Sequence, residues 1–178
     1  MAANDTMTAP RRALFLDRDG VVNEPPRPGD YILHPADLVL RRGIADLIRA
    51  ARAAGYLVIV VTNQRCVGRG LISRRRLDAI HDHMRTELAR QGAGVDDVFV
   101  CPHDLDAHCA CRKPNPGMIL AARDQWNLDL SASVLIGDSP SDLEAARRAG
   151  CIGRLVSHSH LPASILDDLP PIAPTCHR

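Results

Sequence analysis

Leu14-Phe15-Leu16-Asp17-Arg18-Asp19-Gly20-Val21-Val22 is the stretch that decides the fold. An apolar run with strand propensity stops at two carboxylates one residue apart, and a glycine and a second apolar pair follow at once. The pattern predicts a buried strand whose C-terminal end opens into a site. In parallel α/β sheets ligands bind just beyond the carboxyl ends of strands, which puts Asp17 and Asp19 where chemistry is done. Two carboxylates this close repel, and they coexist when a cation is shared or one of them holds a proton. Both arrangements suit phosphoryl transfer, with a divalent metal on Asp17 and Asp19 as a proton carrier. Taken alone, Asp-x-Asp-Gly also reads as a polar turn after a strand, so the remainder of the chain has to decide.

Working outward, residues 57–61 form a second continuous apolar run that stops at Thr62-Asn63-Gln64. Apolar on every side, it predicts a central strand covered on both faces and lying beside the first. A hydroxyl and an amide at its end can hold a phosphate oxygen, or can cap a turn. Residues 43–54 carry Ile44, Leu47, Ile48 and Ala51 at helical spacing and close at Gly55. Gly68-Arg69-Gly70 reads as loop before Ser73 caps a helix bearing Leu77, Ile80, Met84 and Leu88. Arg74, Arg75 and Arg76 crowd its first turn and read as a solvated face.

Residues 98–100 predict a third strand and 134–137 a fourth, the latter running into Asp138-Ser139-Pro140-Ser141-Asp142. Asp138 is placed to be a second metal ligand, whereas Asp142 is either a capping-box acid or an outer-sphere partner. Asn115-Pro116 reads as an N-cap and N1 proline opening a helix to Trp126, and 152–156 as an edge strand. The expectation is an α/β protein with a doubly wound, Rossmann-like parallel sheet and a single domain over 1–178, with 1–10 and 170–178 as loose tails.

Composition bounds the function. In 178 residues, 22 basic against 21 acidic side chains leave a net charge of +1, which offers no field for nucleic acid or an acidic membrane surface. Aromatics at 3% remove the stacking platforms of single-strand binders. No apolar run is long enough to span a bilayer and 1–10 lacks the apolar core of a signal peptide, so a cytoplasmic protein with reduced cysteines is expected.

Two hooks, Cys101-x-His103 and Cys109-x-Cys111, are separated by a short polar loop. Four ligands of this softness match a closed tetrahedral zinc site, which would fold the loop and not activate water. His108 adjoins the second hook as a bystander. Arg112-Lys113-Pro114 follows directly, and Lys113 is the chain's only lysine. Where arginine is otherwise used throughout, that single residue marks a place wanting a compact ammonium. Arg27, in the Pro25-Pro26-Arg27-Pro28 loop, is placed to overhang the first strand's end. His158-Ser159-His160 reads as exposed loop histidines.

Taken together, Asp17-Arg18-Asp19-Gly20, Thr62-Asn63-Gln64, Arg112-Lys113-Pro114 and Gly137-Asp138-Ser139-x-x-Asp142 resemble the four ordered motifs of the haloacid dehalogenase phosphohydrolases. Cys-Pro-His and Cys-x-Cys-Arg-Lys-Pro-x-Pro-Gly-Met look like its zinc-containing branch of heptose 1,7-bisphosphate and histidinol phosphatases. The resemblance implies a minimal cap, Asp17 as a nucleophile forming an aspartyl phosphate, and Asp19 as general acid and base. It implies Mg²⁺ on Asp17, the Asp19 backbone carbonyl and Asp138, and phosphoryl stabilisation by Thr62 and Lys113. Asn63, Gln64, Arg27, Arg69, Arg112 and Ser139 are expected to bind substrate, with Arg112 toward a second phosphate.

Cys66 departs from the family, standing where relatives usually have glycine. The expected reaction is removal of the 7-phosphate of D-glycero-D-manno-heptose 1,7-bisphosphate by a monomer, with histidinol phosphate or another small sugar phosphate as the alternative. The arginines suit a doubly phosphorylated ligand, while Glu24 and Asp30 are the carboxylates available to an amine. A receiver-like phosphoacceptor domain and a zinc-ribbon binding module are the readings from other classes.

Overall fold

The structure, a computed structural model, describes residues 9–157 together with Leu161 and Ile165. Five strands form one parallel sheet in the order β3-β2-β1-β4-β5: β1 Ala13–Leu16, β2 Leu57–Asn63, β3 Asp97–Cys101, β4 Val134–Gly137 and β5 Ile152–Leu155. From β1 the chain steps outward through β2 to β3, then returns across β1 to β4 and β5. The winding therefore reverses between β1 and β4, which pair as Leu14↔Val134, Phe15↔Leu135 and Leu16↔Ile136. Ligand crevices of doubly wound sheets form at such a reversal, beyond the carboxyl ends of the strands.

The apolar runs are continuous because both sheet faces are covered. Leu14, Leu16, Val58, Val60, Val134 and Ile136 pack with α1 (Ile44–Ala53) and α3 (Arg74–Arg90) through Leu47, Ile48, Ile80, Met84 and Leu88. Their alternates Ala13, Phe15, Leu57, Ile59, Val61 and Leu135 pack with α4 (Gly117–Trp126) and α5 (Pro140–Ala149) through Met118, Ile119, Ala122, Ala145 and Ala146. Strand side chains alternate in direction, so one strand feeds both cores. Among the described residues no helix is long and apolar enough to cross a membrane.

Thr62 and Asn63 are the last two residues of β2, at the strand end where the sequence reading places them. Other details differ. Part of the segment read as loop is a one-turn helix, α2 (Arg65–Gly68). A Cβ at Gly68 would lie 2.5 Å from the Asp104 nitrogen and 2.8 Å from the Pro102 oxygen, so this turn sits directly on the backbone that follows β3. The Arg65–Asp104 ion pair reinforces that contact. Helix α4 starts at Gly117 with Pro116 as its cap, because the Asn115 amide is engaged elsewhere. Its Nδ2 donates to the Cys109 carbonyl at 2.9 Å, and its Oδ1 accepts from Arg148 at 3.0 Å.

Other expectations hold. Ser73 accepts from the Arg76 N–H as the cap of α3. Arg74 pairs with Asp78, and Arg76 donates to His34 Nδ1. Trp126 lies at the core edge and donates to Asp97. His158 and His160, with most of the two expected tails, lie outside the described residues.

The start of β1 depends on one hydroxyl. Ser133, fully buried, accepts from the Ala13 N–H at 2.9 Å and donates to the Asp129 carbonyl at 2.6 Å. Ser133→Ala leaves a buried N–H unmet and is expected to lower stability by about 1–3 kcal/mol, measurable as a lower urea midpoint with an unchanged m-value.

Candidate active site

The strand ends bring four separated segments together. The Asp17 N–H still donates to the Ile136 carbonyl at 3.0 Å, so the residue after β1 is locked to β4. Gly20 has φ 90°, and a Cβ there would lie 1.9 Å from Asp138 Oδ2; both facts require glycine. Asp17, Asp138 and Asp142 each offer a carboxylate oxygen within 4.8 Å of the others. An oxygen-only set of this kind fits a hard divalent cation.

Lys113 is the centre of the charge arrangement. Only 4% exposed, it places Nζ 2.7 Å from Asp17 Oδ1, 2.5 Å from Asp142 Oδ1 and 2.9 Å from the Val61 carbonyl. An ammonium has three donors, and three oxygens surround this one. Burial works to lower its pKa, but Asp17 and Asp142 outweigh it and the net direction is upward. Burial also pushes the Asp17 carboxyl up to about 7, with Lys113 opposing and Asp142 adding to the rise. A cation shared with Asp138 is what such a carboxylate needs in order to stay ionised.

Asp142 is a capping-box acid, the first of the two readings its sequence position offers, and its second oxygen meets Lys113. Its Oδ2 accepts from the Ser139 hydroxyl at 2.6 Å and from the Ser139 N–H at 3.2 Å, completing a capping box on α5. Its Oδ1 faces Lys113. Asp17, Asp19, Thr62, Lys113, Ser139 and Asp142, along with Asn63 and Ser141, line one cleft of about 120 Å³.

Asp19 is held differently, and its carboxylate stands outside the three-acid group. Oδ1 accepts from Arg18 Nε and Nη2 and from Asn23 Nδ2, and Oδ2 accepts from Arg18 Nη2 and Gln64 Nε2, all at 2.9–3.0 Å. Burial acts to raise its pKa, but the Arg18 charge and the donated hydrogen bonds win, so the net direction is downward.

Behind the cleft lies the loop between β3 and α4. Cys101 Sγ is 3.5 Å from Cys109 Sγ and 3.6 Å from His103 Nδ1, and the latter is 3.2 Å from Cys111 Sγ. A tetrahedral zinc ion bound by sulfur and nitrogen has ligand edges of about 3.5–3.8 Å, so the four atoms fit one. Burial and the neighbouring sulfurs push Cys111 up to about 12. Burial acts to raise Cys109 as well, yet hydrogen bonds led by Cys111 bring it down to about 7. His108, exposed and in the left-handed region at φ 44°, is not part of the group.

The family model for haloacid dehalogenase-like hydrolases matches residues 5–150. The chain belongs to that family.

Relatives sharpen the likeness. This hydrolase is 47% identical over 156 residues to the D-glycero-beta-D-manno-heptose-1,7-bisphosphate 7-phosphatase of Rhodopseudomonas palustris, covering 83% of the present chain and 85% of the relative. It is 46% identical over 146 residues to the D-glycero-alpha-D-manno-heptose-1,7-bisphosphate 7-phosphatase of Burkholderia mallei, covering 78% and 76%. A crystal structure of the D,D-heptose 1,7-bisphosphate phosphatase of B. bronchiseptica, complexed with magnesium and phosphate, superposes with a TM-score of 0.76 at 40% identity, covering 81% of this chain and 79% of that one.

Not every residue expected at the hydrolase's substrate faces the cleft. Gln64, 2% exposed, spends its Nε2 on Asp19 and on Thr62 Oγ1 and lies in the wall. Asn63 lines the cleft, but its amide clamps the Lys113 backbone, with Nδ2 donating to the carbonyl at 3.1 Å and Oδ1 accepting from the N–H at 3.0 Å. Arg27 and Arg69 are exposed and line neither this cleft nor its neighbour, and Arg69 donates to the Tyr31 hydroxyl. Arg112, half-buried with Nη1 buried and unpartnered, lines that neighbouring cleft of about 400 Å³, which shares Asn63, Lys113 and Ser141 with the first.

Sequence reasoning passed over Ser141, Asn23, Arg18 and His81. For His81 a signal existed: it interrupts the apolar stripe of α3 between Leu77 and Met84, and a polar residue on a buried stripe needs a partner. Asn63→Ala removes both bonds that fix Lys113. It is expected to cost about 1–3 kcal/mol of stability and to lower turnover with little change in KM, which steady-state kinetics beside chemical denaturation will read.

Proposed function

We propose that this hydrolase is a magnesium-dependent phosphatase that removes the 7-phosphate of D-glycero-D-manno-heptose 1,7-bisphosphate through an aspartyl-phosphate intermediate. The carrying observation is the contact of Asp17 with Lys113 in a cleft at the sheet's winding reversal, in a chain 47% identical to a relative named for that reaction.

The family resemblance suggests the roles, and the geometry supports them. Asp17 attacks phosphorus. Asp19, ionised between its donors in the free site, takes up a proton as the anionic phosphate approaches and disfavours a second negative charge. The bond from phosphorus to the sugar oxygen breaks as Asp19 delivers that proton to the leaving alkoxide. Asp19, then a carboxylate, takes a proton from water, which attacks the aspartyl phosphate and releases inorganic phosphate with Asp17 regenerated. Lys113 and the Thr62 hydroxyl hold the equatorial phosphoryl oxygens as charge develops on them. Held by Asp17, Asp138 and the Asp19 carbonyl, Mg²⁺ would supply positive charge between an anionic nucleophile and an anionic phosphate.

Arg112 lines the adjoining cleft, and a guanidinium fork there suits the second phosphate of the sugar. Zinc on Cys101, His103, Cys109 and Cys111 would fix the loop carrying Arg112 and Lys113. Asn63 and Gln64 act as positioning residues for Lys113 and Asp19.

Relatives are named for both anomers, so the decisive experiment measures phosphate release from the alpha and beta heptose bisphosphates and from histidinol phosphate. One equivalent of phosphate from one or both heptose anomers, dependent on Mg²⁺ and with kcat/KM above that for histidinol phosphate by about tenfold or more, is expected. Equal or better turnover of histidinol phosphate overturns the substrate assignment. Asp17→Asn is expected to lose turnover by about a thousandfold or more while keeping its thermal midpoint, and retained activity removes Asp17 as nucleophile. Cys109→Ser is expected to lower zinc stoichiometry by elemental analysis and to lower Tm.

A further inference from the structure

Arg18, between the two acids of Asp17-Arg18-Asp19, turns into the protein and has no solvent exposure, while its partner Asp19 keeps a side-chain exposure of 26%. Nε and Nη2 of the guanidinium grip the Asp19 carboxylate, and the remaining arm, Nη1, lies 3.2 Å from His81 Nε2. A guanidinium stays charged and offers only donors. His81 Nε2 therefore accepts, and the imidazole is neutral with its proton on Nδ1. Burial, followed by the Arg18 charge, pushes His81 down to about 3, in agreement with a neutral ring. His81 is 5% exposed and sits on the face of α3 that carries Leu77, Ile80 and Met84.

We propose that His81 is a positioning residue for catalysis, fixing through Arg18 the aim of the Asp19 carboxylate at the leaving group. The guanidinium is planar, so holding Nη1 fixes the plane in which Nε and Nη2 meet Asp19. The fork is anchored at one end by a packed helix and presents the carboxylate at the other. Gln64 and Asn23 complete the cradle from the junction of β2 with α2 and from the loop after Gly20. A bland role, in which His81 only satisfies a buried cation, gives a different kinetic signature.

The proposal rests on Asp19 as the proton carrier, and its test separates the two. The second-order constant kcat/KM reports the steps through departure of the leaving group. An alkoxide needs a proton there; 4-nitrophenolate does not. His81→Met is expected to lower kcat/KM for an alkyl phosphate by about tenfold or more, within the range that general acid catalysis supplies. The same variant should stay within about twofold of wild type on 4-nitrophenyl phosphate, where activity also certifies the fold. His81→Gln, which restores an acceptor, is expected to recover the alkyl phosphate rate.

An equal loss on both substrates, or no loss on the alkyl phosphate, overturns the proposal. Should His81→Met not fold, Arg18→Lys keeps the buried charge, breaks the fork and must show the same split. Asp19→Asn is the reference: without a split there, the reading of Asp19 itself fails, and with a split there but none in His81→Met, only the role of His81 does.

Discussion

A buried ammonium between two carboxylates is the constraint on which the rest of this molecule depends. Lys113 arrives from the loop before α4, Asp17 from just beyond β1 and Asp142 from α5, and they meet at 2.7 and 2.5 Å. Desolvating such charges costs several kcal/mol each, repaid only when they stay together. The sheet order brings β1 and β4 side by side, and the Asn63 clamp sets the Lys113 backbone against the end of β2. Fold and site are thereby one requirement, since separating the strands would strand the charges.

The cysteine and histidine loop serves the same end. It has little apolar content of its own, and Arg112-Lys113 leave it within two residues of Cys111. Its backbone is held at several points: by Asn115 on the Cys109 carbonyl, by the Arg65–Asp104 pair, and by α2 pressed against 102–104 at Gly68. A tetrahedral ion in that loop would act on the cleft wholly through geometry. The same contacts run back along α2 to Gln64, so the two sides of the cleft share one support.

Much of this was legible in the sequence, because the signals are local. A continuous apolar run ending in a polar side chain marks both a central strand and a site, and it did so for Asp17, Thr62 and Asp138. The solitary lysine pointed to an unusual environment by composition alone. What stayed hidden depends on distant partners. Whether Asn63 turns to ligand or to backbone is decided by Lys113, 50 residues on, and the side chain of Gln64 is claimed by an acid 45 residues back. The single turn of α2 is too short for any periodicity, and the cap of α4 moved by one residue because Asn115 had better partners elsewhere.

The scarcity of lysine has a practical side. This chain has one ε-amine, and it lies in the cleft wall at 4% exposure against the nucleophile. Amine-directed chemistry, once labelling of the chain's α-amine is set aside, becomes here a reporter on a single interior location. Its rate measures how often the cleft opens and the ammonium sheds its carboxylates, and occupancy of the cleft by an anion would be read out as protection of that one nitrogen.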